Sequence, residues 1–83
     1  MFYIIRNNLY YEIFGIGYAS ISYKIKDSFI AMRKLKILSV VAVCDVPEEY
    51  ENINVTVTSL KTITVHGSVP RAISFIIKAV ALN

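Results

Sequence analysis

The sequence predicts an α+β domain: a three-stranded antiparallel sheet with two helices packed on one face, in the order strand, helix, strand, strand, helix. Three observations predict it. Residues 53 to 66 hold two alternating β-branched runs joined by a few turn residues, and Tyr18 to Lys26 alternates in the same way. After Ser68 the apolar residues recur at helical spacing. All 83 residues read as one domain, with residues 1–17 as either an N-terminal extension or an extra hairpin.

Along the chain, Phe2 to Ile5 suits a short strand and Asn7-Asn8 a turn. Leu9 to Phe14 either pairs back on that strand or packs elsewhere, and Gly15-Ile16-Gly17 then loosens the chain. From Tyr18 to Lys26, Ala19, Ile21, Tyr23 and Ile25 alternate with Ser20, Ser22, Lys24 and Lys26, a strand with a polar, basic outer face. Asp27 or Ser28 caps a following helix through Phe29, Ile30, Ala31, Met32 and Leu35. That helix is expected from about 28 to 42, with a strand through Val40-Val41-Ala42-Val43 as the rival reading, because β-branched residues suit a pleated sheet. Val46-Pro47-Glu48-Glu49 breaks regular structure.

The hairpin follows. Ile53, Val55 and Val57 alternate with Asn54, Thr56 and Thr58; after Ser59-Leu60-Lys61, Ile63 and Val65 are set against Thr62, Thr64 and His66. Gly67 ends the second run. Ser68 is placed to cap a second helix and Pro70 to sit in its first turn. At about 100° per residue, Val69, Ile73, Ile76, Ile77 and Val80 share one side and pack on the hairpin. Arg71, Phe75, Lys78 and Leu82 fall on the other side as a candidate partner-binding face, since Phe75 and Leu82 need a cover.

Hydrophobic residues make up 55% of the chain and mean hydropathy is +0.53, an excess that fits subunit interfaces. The longest nearly uncharged apolar run, Ile37 to Cys44, falls far short of the roughly 20 residues of a spanning helix. The opening Met-Phe-Tyr-Ile-Ile lacks the order of a signal peptide, so no membrane and a cytoplasmic location are expected. A dimer, homo- or hetero-, is the expected assembly. Net charge is +3 and uneven: Asp45, Glu48, Glu49 and Glu51 gather in one stretch, while Lys24, Lys26, Arg33, Lys34 and Lys36 form a basic belt that is the candidate nucleic-acid-binding surface.

Catalytic chemistry is not expected. His66 is the single histidine and Cys44 the single cysteine, so neither a metal framework nor an intrachain disulfide is foreseen, and Cys44 reads as a buried, inert thiol. No serine sits in a nucleophile-elbow pattern. Gly15-Ile16-Gly17 lacks the third glycine of a dinucleotide fingerprint. The acidic stretch lacks the spacing of a calcium loop. No cofactor is expected.

The run Ile53-Asn54-Val55-Thr56-Val57, Lys61-Thr62-Ile63-Thr64-Val65-His66-Gly67 and Ser68-Val69-Pro70-Arg71-Ala72-Ile73 resembles the Pcc family, the small dimerisation subunit of the archaeal and eukaryotic KEOPS complex. The resemblance is close only from Asn52 to Asn83; residues 1 to 17 and the basic first helix depart from the pattern, as in a divergent member or paralogue. It implies a non-catalytic accessory subunit that dimerises through its sheet, docks helices on a catalytic subunit and supports tRNA binding while that assembly installs threonylcarbamoyladenosine. Two alternatives stand beside it: a stand-alone nucleic-acid-binding protein, and a viral or mobile-element inhibitor of a host protein.

Overall fold

A computed structural model of the chain describes residues 2–58, 60–68 and 70–82. Its elements are β1 (Phe2–Asn7), β2 (Tyr10–Tyr18), β3 (Ile21–Lys24), α1 (Ser28–Ala31), β4 (Lys34–Val43), a 3-10 turn (Pro47–Asn52), β5 (Asn54–Val57), β6 (Thr62–His66) and β7 (Ala72–Leu82). They form a four-stranded sheet in the order β1-β2-β7-β4 and a three-stranded sheet in the order β3-β6-β5, every pairing antiparallel. The expected α+β fold is therefore corrected to a two-sheet β architecture. Strands β4 and β7 stand where the two helices were expected.

The reason is clearest in β7. Ile73, Phe75, Ile77, Ala79 and Ala81 are buried, while Ala72, Ser74, Ile76, Lys78 and Leu82 between them are exposed. That is a period of two over eleven residues. The helical spacing of Ile73, Ile76, Ile77 and Val80 arises because both faces of this strand are rich in apolar residues, and such a run satisfies either period. All four are β-branched and lose side-chain freedom in a helix. Nor do Ser68 and Pro70 start a helix: the Ser68 hydroxyl donates to Glu49 Oε2 at 2.9 Å, tying the link before β7 to the 3-10 turn. Val69, expected in the helical stripe, and Ser59, expected in the hairpin turn, lie outside the described residues.

The first expected helix survives for one turn. Asp27 Oδ1 accepts from the Ile30 amide at 3.0 Å and α1 ends at Ala31. From Lys34 the chain extends, with Leu35, Ile37, Val40 and Ala42 turned toward the core and Lys34, Lys36, Val41 and Val43 away from it. A bulge between Ile37 and Ser39 inserts Leu38 and restores the alternation beyond it. The 53–66 hairpin is present as β5 and β6, and residues 2–15 form the hairpin of β1 with the first part of β2.

One core lies between the sheets. Tyr11, Ile13, Ile73, Phe75 and Ile77 come from the larger sheet, Val55, Ile63 and Val65 from the smaller, and Ile25 and Ile30 from the connection that closes one end. Gly15 and Gly17 have a packing role. A Cβ on Gly15 would run into the rings of Phe2 and Phe75, and one on Gly17 into Tyr23 and Val65. The Gly-Ile-Gly run lets two layers approach.

Candidate functional site

A sheet that covers a core usually turns polar residues to water on its other face. The four-stranded sheet does so over only part of that face. Its registers place Tyr3, Phe14, Ile76 and Val41 side by side across all four strands, with Ile16, Ser74 and Val43 in the adjacent row. The Tyr3 ring stacks on Phe14 with centroids 4.9 Å apart and an interplanar angle of 9°. Tyr3 and Val41 at the two ends of the row are 59% and 58% exposed, and Ile16 in the adjacent row is 54% exposed. These side chains line a shallow apolar depression of about 350 Å³.

One polar row bounds the patch. Glu12 pairs across with Lys78, Oε2 to Nζ 4.0 Å, and the Tyr10 hydroxyl donates to the same oxygen at 3.1 Å. Desolvation, that hydrogen bond and the carboxylate charge together push the Tyr10 phenol upward from its ordinary pKa. The pair therefore neutralises itself within the face.

The residues expected to bind a partner do not share a face. Phe75 is 2% exposed and packs against Phe2 in the core. Arg71 precedes β7 and donates to Asp45 Oδ1 at 2.8 Å. Lys78 and Leu82 do lie on the outer face, Lys78 beside Glu12 and Leu82 opposite Lys34 at the far end. What the helical reading missed is the set Tyr3, Phe14, Ile16, Val41, Val43 and Ile76. For Val41, Val43 and Ile76 the signal was in the sequence, as apolar residues at both odd and even positions of β4 and β7.

The basic belt fares differently. Lys24 faces Thr62 at the last pair of β3 with β6, Lys34 faces Leu82 at the last pair of β4 with β7, and Lys36 lies two residues farther in. Lys24 Nζ donates to the Leu60 carbonyl at 2.6 Å, Lys34 and Lys61 line one depression, and Lys26 and Arg33 flank α1. Arg6, opposite Tyr11 near the tip of the β1–β2 hairpin, joins them: the guanidinium carbons of Arg6 and Arg33 lie 3.9 and 3.6 Å from the centroid of the Phe29 ring. All five expected residues thus gather at one end of the sandwich, around its corners.

The acidic stretch occupies the opposite end. Glu49 accepts from Ser68 and from Asn52, and these bonds, with the Arg71 charge, hold its carboxyl below the usual range against some desolvation. His66 is exposed, its Nε2 3.2 Å from Thr56 Oγ1. Cys44 is half-buried rather than fully enclosed, its thiol 3.2 Å from the Val46 carbonyl. Among the described residues no group of three or more His, Cys, Asp or Glu is arranged to hold a metal, and no helix is long and apolar enough to cross a membrane. Comparison with family models, with curated proteins and with solved structures finds no match to this chain.

Proposed function

We propose that this chain is a non-catalytic interaction subunit that docks through the outer face of its four-stranded sheet, onto a second copy or another protein. One observation carries the reading: part of the outer face is apolar, with a continuous row from Tyr3 through Phe14 and Ile76 to Val41. Single exposed apolar residues are ordinary, but a contiguous set across four strands marks an interaction surface. The self-paired Glu12–Lys78 row allows burial without leaving an uncompensated charge. A cytoplasmic setting belongs to the same proposal. The accessory role is the part of the Pcc resemblance that this face supports. A place in a tRNA-modifying assembly has no separate support, because the residues read as its docking helix form β7.

Light scattering and crosslinking test this. The wild-type chain should self-associate at micromolar concentration, or a photoreactive residue at Val41 should yield a discrete adduct in cells while one at Thr56, on the other sheet, does not. Val41→Glu combined with Ile76→Glu should abolish either outcome and keep the circular dichroism of the fold. A chain that stays monomeric and gives equal, diffuse crosslinking at both positions refutes the docking face.

A second reading has its own observation. The gathering of Arg6, Lys24, Lys26, Arg33, Lys34, Lys36 and Lys61 at one end favours contact with a polyanion such as single-stranded RNA.

A further inference from the structure

The two sheets meet differently at their two sides. On one side β4 lies against β5. On the other, β1 pairs only with β2 and β3 only with β6, so two unpaired strand edges border an open groove of about 710 Å³. Ile13, fully buried, forms its floor with Phe2, Ile4 and Tyr23, the Phe2 ring meeting Tyr23 edge-on with centroids 5.2 Å apart.

We infer that this groove receives an extended acidic peptide, which pairs with the free edge of β1 and lays alternate apolar side chains between the sheets. Three features argue for a peptide strand. An unpaired edge offers backbone donors and acceptors at strand spacing, which an acyl chain or a small aromatic ligand cannot use in register. The β1 edge is also the less guarded one. Its Phe-Tyr-Ile-Ile run carries no bulge, charge or proline, the strand's one charged residue, Arg6, lying at the far end over the Phe29 ring, whereas the opposite edge strand, β4, has a bulge, Lys34 and Lys36. Finally, an added strand sends every second side chain into the gap between the sheets, where the floor is apolar.

Charge fixes the acidic character. The rim carries Lys24, Lys26 and Asp27. Asp27 is committed to capping α1 through the Ile30 amide. Lys24 spends one donor on the Leu60 carbonyl and keeps two, and Lys26 is exposed and makes no ion pair among the described residues. The groove and the docking face share Tyr3 and are otherwise lined by different residues, so each proposal has its own test.

A random dodecapeptide library displayed on phage, panned against the intact chain, tests the inference. Enriched peptides should alternate apolar residues and carry Asp or Glu. On binding, amides of Phe2–Asn7 should become protected from hydrogen exchange. Lys24→Glu with Lys26→Glu should weaken binding tenfold or more, while Thr56→Glu, exposed on β5 and outside both the groove and the docking face, leaves it unchanged. Proline placed centrally in the peptide should abolish binding, a control that needs no variant of the protein. Any of four results overturns the proposal: no enrichment, binding indifferent to the proline, protection confined to β4 or β7, or concentration-dependent protection of β1 without peptide. The last would show that a second copy occupies the edge.

Discussion

Phe75 and Ile76 are chain neighbours that β7 sends in opposite directions. The Phe75 ring is packed between Gly15 and Phe2 with 2% of its surface exposed, whereas Ile76 is 37% exposed on the outer face. Truncating Phe75 to alanine should therefore cost about 3–5 kcal/mol, the range for a buried aromatic, and Ile76→Ala about 1 kcal/mol or less. Urea denaturation of the two variants reads the difference directly, and a helical register predicts the opposite order. Close approach makes a second residue-scale case. Gly15→Ala should cost about 1–3 kcal/mol, since its methyl group has no room between two rings. Glu49 supplies a pH test. Its carboxyl is held below the ordinary range by Ser68 and Asn52, so its stabilisation is present above the unfolded-state pKa and is lost as pH falls through the lower folded value. Ser68→Ala should flatten the loss of melting temperature between about pH 5 and about pH 3.

At the scale of elements, β7 is the strand the others are built around, bonded to β2 on one side and β4 on the other along nearly its whole length. Its amides should exchange slowest in the molecule, while those of β3 and β5, short edge strands of the smaller sheet, should exchange soonest. Residue-resolved exchange would show it; slow exchange centred on β5 and β6 would point to a different core. This central position also explains what the sequence hid. The hairpin of β5 and β6 was legible because one of its faces meets water, so Thr56 and Thr64 oppose Val55 and Val65 in a clean alternation. In β7 both faces are apolar, and Ile73, Ile76, Ile77 and Val80 then satisfy a helical period as easily as a strand period. For β4 the competing signal was local: Asp27 does cap a helical turn, and nothing in Phe29 to Met32 says that it stops after one. Half of the candidate site was hidden for the same reason, since Val41, Val43 and Ile76 face outward on these two strands. The basic belt was legible because its charges are clustered in sequence as well as in space.

The molecule measures 39 × 18 × 18 Å and its charge is divided along its length. Strand registers put Arg6, Lys24, Lys26, Arg33, Lys34, Lys36 and Lys61 toward the end capped by α1, seven of the nine basic residues. Asp45, Glu48, Glu49 and Glu51, four of the six acids, lie at the other end with the 3-10 turn. Among the described side chains at the basic end Asp27 is acidic, and its carboxylate is engaged with the Ile30 amide. Separation on this scale exceeds the Debye length of about 8 Å at physiological salt, so the acidic end does not screen the basic one. Phosphates approaching the basic end therefore meet a cluster of positive charge, with Arg6 and Arg33 held in place by the Phe29 ring. If this end binds a polyanion, a uridine oligonucleotide should bind with an affinity that falls steeply with salt. Lys34→Glu with Lys36→Glu should then lower the salt slope by about 0.7 for each phosphate that the protein no longer neutralises. Glu48→Gln with Glu51→Gln, at the far end, should leave the slope unchanged and serves as the control for net charge. A slope that shifts equally in both double variants would show that overall charge, and not the clustered end, governs binding; no shift in either would leave the basic end a solvated surface.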